Sequence, residues 1–174
     1  MFLGEKGKEL QERFKININL SETKEVLEKY ILMELKKNKV SLISQEVIAA
    51  LIVKEAYETL SVIFEKYYEE IFENNSWTYK TTNTINLIGL ANVNWYNGKY
   101  TSAKKNLELI ELDKVELGYC DYFSLFFYLT QLKISFSEKD KILNTYAQTE
   151  LDNYINKTNF IVFKELATNY LIQT

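Results

Sequence analysis

The chain has 174 residues, close to the usual size of one domain, with 47% hydrophobic and 26% charged residues, the balance of a packed globular chain rather than a disordered one. With no proline and five glycines it has little material for tight hairpins or phosphate-cradling loops, which counts against β-rich and dinucleotide-binding folds and leaves helices. Histidine is absent, removing the commonest general base and metal ligand, and a formal charge of −3 gives no basic bias toward nucleic acid.

In chain order, residues 5–14 suit a short helix with Leu10 and Phe14 on one side, within a lead-in arm over 1–20. Ser21 is an N-cap candidate, and Val26, Leu27, Tyr30, Ile31 and Leu35 then recur at helical spacing, predicting a helix over 22–38. It ends in Lys36, Lys37 and Lys39, which suit the C-terminal end of a helix dipole better than a phosphate backbone. Behind Ser44, the stripe Ile48, Ile52, Ala56, Leu60, Ile63, Tyr67 and Ile71 predicts one long helix to about Asn74 and Asn75. A second row, Ala49, Val53, Tyr57, Phe64, Tyr68 and Phe72, widens its buried face, as expected for a helix between two neighbours.

The next helix is predicted over 81–96, with Ile85, Leu87, Ile88, Leu90 and Ala91 apolar, closed by Asn97-Gly98-Lys99-Tyr100. Ala103, Leu107 and Ile110 resume the helical pattern as far as Asp113, so 81–113 reads as an antiparallel helical hairpin. A second hairpin follows, its first helix over 118–136 with Tyr122, Leu125, Leu129 and Leu132 inside. Ser137-Glu138-Lys139-Asp140 fits a capping box for its second helix, whose apolar side is Ile142, Leu143, Tyr146, Leu151 and Ile155. Asn159 is a cap candidate for a last helix carrying Ile161, Val162, Leu166, Tyr170 and Leu171. No proline-rich or Ser/Gly-rich linker interrupts the series, so one domain over 1–174 is expected.

The hairpin at 81–113 approaches a tetratricopeptide repeat of about 34 residues. Leu87, Leu90 and Ala91 take the large, large and small positions, Gly98 and Tyr100 form the turn, and Ala103, Leu107 and Ile110 pack back. Asn94 stands where an aromatic residue is usual and Val115 where proline commonly ends the repeat. The hairpin at 118–156 fits with a longer spacing. The expected fold is therefore all-α, with antiparallel helical hairpins stacked as a right-handed, tetratricopeptide-like superhelix.

Other features narrow the function classes. Arg13 is the only arginine, where nucleic-acid readers favour arginine forks, so direct nucleic-acid binding by this chain is not expected. The single cysteine, Cys120, fits a reducing cytoplasm and a buried apolar position. The longest apolar run, Val47 to Val53, is far below the roughly 20 residues of a spanning helix, and Met1-Phe2-Leu3-Gly4-Glu5-Lys6 has no signal-peptide organisation, so no membrane or export role is expected. Glu65, Glu69, Glu70 and Glu73 lack the Glu-x-x-His partner of a carboxylate metal site and read as a solvated face. No catalytic residue, cofactor or metal ligand is assigned, and an enzyme is not expected.

From Thr82 to Leu171 the sequence resembles the C-terminal regulatory domain of the Rgg/GadR/MutR transcription regulators, within the wider Rap, NprR, PlcR and PrgX group. The resemblance rests on Asn83-Thr84-Ile85-Asn86-Leu87-Ile88, on Trp95-Tyr96-Asn97-Gly98-Lys99-Tyr100 with Ala103-Lys104-Lys105, on Tyr122-Phe123-Ser124-Leu125-Phe126-Phe127-Tyr128 and on Phe163-Lys164-Glu165-Leu166-Ala167-Thr168-Asn169-Tyr170-Leu171. It implies a helical-repeat domain, commonly dimeric, whose concave surface binds a short imported signalling peptide, as in quorum sensing, and thereby controls an attached helix-turn-helix. That DNA-binding half is absent from these residues.

An asparagine carboxamide can bond both the N–H and the C=O of an extended peptide, whatever its side chains. In the tetratricopeptide register Ile85, Ile88, Asn92, Trp95 and Tyr96 project to the concave side, with Asn92 as the clamp candidate and Trp95 and Tyr96 as pocket walls. On the following repeat Phe123, Phe126, Thr130 and Lys133 take the corresponding face, and Lys133 suits a peptide carboxylate. The competing reading makes the asparagines solvated and the aromatic run from Tyr122 to Tyr128 core and subunit interface. Two functions follow as expectations. One is a peptide-sensing regulatory domain that dimerises through its aromatic C-terminal helices. The alternative is a stand-alone adaptor holding a protein partner in the same groove.

Overall fold

Eight α-helices run through the described residues of the computed structural model, and no strand occurs among them, so the chain is all-α. Those residues are 24–36, 45–73, 79–112, 120–159 and 161–173. The expectations for the arm over 1–20, for Ser21, Ser44, Lys37, Lys39, Asn74, Asn75, Asp113 and Val115, and for the side chains of Glu70, Glu73, Cys120 and Tyr122 lie outside what is described. The helices are α1 (Lys24–Leu35), α2 (Gln45–Val53), α3 (Tyr57–Glu73), α4 (Tyr79–Tyr96), α5 (Tyr100–Glu108), α6 (Cys120–Glu138), α7 (Lys141–Lys157) and α8 (Ile161–Gln173).

The long helix expected from Ser44 onward is two helices. Glu55 takes a left-handed backbone, φ 54°. Ala56 N–H donates to Leu51 O at 2.9 Å and Glu55 N–H to Ile52 O at 3.1 Å, the crossed pair that closes a Schellman turn. The same turn recurs at Gly98, φ 73°, where Lys99 N–H reaches Asn94 O at 2.8 Å and Gly98 N–H reaches Trp95 O at 3.0 Å. It occurs again at Lys139, φ 58°, through Asp140 N–H to Ser135 O at 2.9 Å and Lys139 N–H to Phe136 O at 3.2 Å. Positions 55, 98 and 139 lie 43 and 41 residues apart, so one turn geometry recurs along the chain.

The capping box expected at Ser137 is corrected by the third of these turns. Ser137 and Glu138 still belong to α6, and Asp140 caps α7, its Oδ1 accepting from Leu143 N–H at 3.0 Å. That bond is the main reason the Asp140 carboxyl sits below its usual range.

Packing follows the hairpins. Helices α2, α4, α6 and α8 touch in series, and α3, α5 and α7 each lie against the helix that follows them. The stripe expected of α2 and α3 is mostly inside: Ile48, Ile52, Ala56, Leu60, Ile63 and Ile71 are buried, while Tyr68 is exposed. Gly89 brings α4 close to α2 and α3, since a Cβ there would stand 2.8 Å from Ile48 Cγ2 and 3.1 Å from the Phe64 ring. Phe123, Leu125, Phe126, Leu129 and Leu132 continue the core into α6, and Ala147, Leu151, Phe163 and Ala167 complete it. Ile142, Tyr146 and Ile161, expected on apolar faces, are instead exposed. None of the described helices is long and apolar enough to cross a membrane.

Candidate functional site

The side chains singled out on α4 and α6 divide into a sealed seam and an open end. Ile85, Ile88, Phe123 and Phe126 have no solvent exposure and pack between helices. Asn92 is equally buried; its Nδ2 donates to Ile88 O at 2.9 Å and to Thr130 Oγ1 at 2.7 Å, and Thr130 donates in turn to Phe126 O at 2.7 Å. The carboxamide expected to clamp a peptide therefore ties α4 to α6, with only its Oδ1 unbonded. A buried amide with one unmet acceptor holds its geometry tightly, because any other rotamer strands more polar atoms.

Trp95, Tyr96 and Lys133 come together where this seam opens, joined by three residues that sequence spacing did not point to: Tyr57, Tyr170 and Glu55. The Lys133 ammonium donates to the Tyr57 hydroxyl and lies 5.0 Å from the Tyr170 ring centroid, 5.1 Å from that of Tyr57 and 5.6 Å from that of Trp95. The Tyr170 and Trp95 rings offset part of the cation's lost hydration, while Tyr57 meets it through its hydroxyl. Trp95 Nε1–H donates to Lys133 O at 3.1 Å and to Ser137 Oγ at 2.8 Å, fixing the indole against α6. Tyr57 meets Trp95 edge-on at 5.5 Å and also stacks tilted on Tyr96. Tyr170 donates to Glu55 Oε1 at 3.0 Å, and Tyr96 to Glu58 Oε1 at 3.0 Å.

Burial governs the electrostatics. It lowers the Lys133 ammonium to about 8, with Glu55 pulling weakly in the other direction. It also raises the hydroxyls of Tyr57 and Tyr170 well above the ordinary phenol range, helped by the Glu55 carboxylate. The hydroxyls of Tyr57 and Tyr170 bond to each other, so a line of groups runs from Lys133 through both phenols to Glu55. No carboxylate among the described residues forms an ion pair with Lys133. The site thus presents a cation, two phenols and an indole edge at the junction of α3, α4, α6 and α8.

No family model, curated protein or solved structure matches the chain. No group of three or more metal-binding side chains occurs among the described residues, and Glu65 and Glu69 are exposed on α3. Tyr57 and Tyr170 had been legible only as members of apolar rows. The structure relates Tyr57 to the repeated turn, two residues after a left-handed position just as Tyr100 and Lys141 are placed.

Proposed function

We propose that this chain is a tetratricopeptide-like regulatory domain of the Rgg/MutR type, whose inner face takes a short signalling peptide at the Lys133 junction. The observation that carries the reading is the Lys133 ammonium, enclosed by Tyr57, Trp95 and Tyr170 and lacking a carboxylate partner among the described residues. A cation buried among rings, with no carboxylate ion pair among the described residues, is an unfavourable arrangement that a peptide carboxylate would relieve, and the surrounding rings suit an apolar residue beside it. The serial contacts of α2, α4, α6 and α8 and the turn repeated at 55, 98 and 139 support the stacked-hairpin architecture that this reading needs. The contact set is Lys133, Trp95, Tyr96, Tyr57 and Tyr170, with Asn92 and Thr130 holding the two helices that present it. DNA binding belongs to a separate segment of such a regulator.

The test is calorimetric titration with apolar peptides of six to eight residues, each made with a free C-terminal carboxylate and as its amide. Binding of a free acid at micromolar affinity, at least ten-fold weaker for the amide and lost in Lys133→Met, supports the reading. Failure of every peptide to bind, or equal binding of acid and amide, refutes it.

A second reading, a partner-binding or self-associating surface on the last two helices, draws on Ile142, Ile161 and Ile172, which are 85%, 69% and 78% exposed. Large aliphatic side chains this open suit the expected dimer interface. Light scattering of the wild type and of an Ile161→Glu/Ile172→Glu variant reads it directly, since only an interface there makes the variant dissociate.

A further inference from the structure

We propose that the Lys133 amine captures a small aldehyde or ketone as an imine, with the Tyr57 hydroxyl as the acid that helps water leave. Lys133 donates directly to the Tyr57 hydroxyl, and the line of bonds continues beyond it. The Tyr57 hydroxyl bonds to that of Tyr170, which donates to Glu55 Oε1 at 3.0 Å, and Glu55 is exposed. The buried amine thus has a hydrogen-bonded exit for its proton, through two phenols, to a carboxylate in contact with water.

The surroundings favour a neutral nitrogen. An ammonium carries three donors, and among the described residues Lys133 reaches one acceptor, the Tyr57 hydroxyl. An imine nitrogen needs one donor, and the same hydroxyl, turned round, supplies it. Facing the amine are Tyr57 of α3, Trp95 of α4, Tyr170 of α8 and, beyond the two phenols, the Glu55 carboxylate of the turn before α3. Burial lowers the ammonium from 10.5 to about 8. At pH 7 that raises the neutral fraction by about 300-fold over an ordinary lysine. With a nucleophilicity slope of about 0.4–0.5, as for thiols, the weaker base gives back about 13-fold, leaving an advantage of roughly 20-fold.

The step balances without an outside reagent. The neutral nitrogen attacks the carbonyl carbon, Tyr57 protonates the departing oxygen, and C=N replaces C=O. That oxygen leaves as water with two of the three ammonium hydrogens, and the third proton passes along the phenols to Glu55 and solvent. Lys133, Trp95 and Tyr170 are half-buried while Tyr57 is buried, so the approach lies on the side of the indole and the α8 phenol and suits a small, planar carbonyl compound. Capture uses the neutral amine and does not rest on the peptide reading, which uses the ammonium.

The test treats the full chain at pH 7 with 2,4-pentanedione, whose amine adduct is a conjugated enaminone absorbing in the near ultraviolet, and locates the modified lysine by peptide mass mapping. Expected is reaction at Lys133 about 20-fold faster than the mean of the other lysines. Its rate levels off above about pH 9 while theirs goes on rising. Lys133→Met removes the fast phase. Tyr57→Phe is compared at pH 9.5, where the Lys133 amine is largely neutral and burial still keeps the Tyr57 hydroxyl protonated in the wild type. There it is expected to slow the Lys133 adduct about ten-fold or more and leave the other lysines unchanged. Reaction at Lys133 no faster than at the other lysines, a rate that climbs with theirs past pH 9.5, or an unchanged rate in a folded Tyr57→Phe chain overturns the proposal. The wild-type profile decides on its own where circular dichroism shows a variant unfolded.

Discussion

Replacing Lys133 by methionine removes the titrating group at the junction and keeps most of its volume, so the variant isolates how much the enclosed ammonium costs. The folded chain lowers Lys133 from 10.5 to about 8. At about 1.36 kcal/mol per unit, the charged form is disfavoured in the fold by roughly 3 kcal/mol as an upper figure. Below the folded value both states hold the proton and the whole cost is present. Between about 8 and 10.5 the unfolded chain binds more protons than the folded one, so this group makes stability rise with pH and its cost is gone above 10.5. Linkage over pH 7 to 9.5 gives a gain of about 2 kcal/mol from Lys133 alone. Tyr57 and Tyr170 act oppositely at higher pH: burial raises their hydroxyls, so the unfolded chain loses those protons first and stability falls from about pH 10 upward. Urea unfolding of wild type and Lys133→Met at pH 7, 8.5 and 9.5 checks the reasoning. The expected result is a wild-type midpoint that gains on the variant by about 1 M urea across that range, for an m-value near 2 kcal/mol/M. Parallel pH profiles would show that Lys133 titrates in solvent and that the rings do not enclose it.

Two further substitutions probe the framework that presents the junction. Gly89→Ala gains about 1 kcal/mol of helix propensity but drives a methyl to 2.8 Å from Ile48 Cγ2 and 3.1 Å from Phe64, both buried, and overpacking of this kind costs about 1–3 kcal/mol. The thermal midpoint is expected to fall by a few degrees, with Ile48→Ala partly compensating in a double-mutant cycle; a raised midpoint would mean that α4 does not approach α2 so closely. Thr130→Val removes the acceptor at 2.7 Å from Asn92 Nδ2 and is expected to cost about 1–2 kcal/mol in chemical denaturation. Combining it with Asn92→Leu should cost less than the two changes summed, and strict additivity would disprove the bond between α4 and α6.

What the sequence could reveal of the fold depended on which residue occupies each turn. Gly98 announces a helix end because only glycine takes a left-handed backbone without a steric cost, and the hairpin of α4 and α5 was accordingly readable. Glu55 and Lys139 occupy the same left-handed position with side chains that favour helix interiors. Local preference therefore ran the helix straight through 55 and placed a capping box at Ser137. The fold overrides that preference because each turn satisfies two carbonyls at the helix end, and at Glu55 the next residue, Ala56, is buried against the core. Helix existence and much of the apolar faces were legible from periodicity, but not the exposure of Tyr68, Ile142, Tyr146 and Ile161. The turn at Glu55 was not legible, and the turn at Lys139 was placed to within a few residues but with the wrong cap.

The site was legible only as a face, for a reason the repeated turn explains. Ala49, Asn92 and Lys133 each lie six residues before a left-handed position, so they are the same place in three successive hairpins. At the first two of these places the side chain has no solvent exposure: α4 packs against α2, and Thr130 of α6 meets Asn92 directly. At the third the covering helix is α8, whose Tyr170 reaches over the ammonium while part of the Lys133 side chain stays exposed. Helical spacing can say that Asn92 and Lys133 share a face, but whether that face is sealed depends on the hairpin stacked next to it. The contacts that decide this span 38 residues for Asn92 and Thr130 and 115 for Tyr170 and Glu55, beyond the reach of any local pattern. The third position differs from the first two in that its side chain is only half-buried, and the lysine stem there carries the charge to a ring-lined junction whose burial still lowers it to about 8.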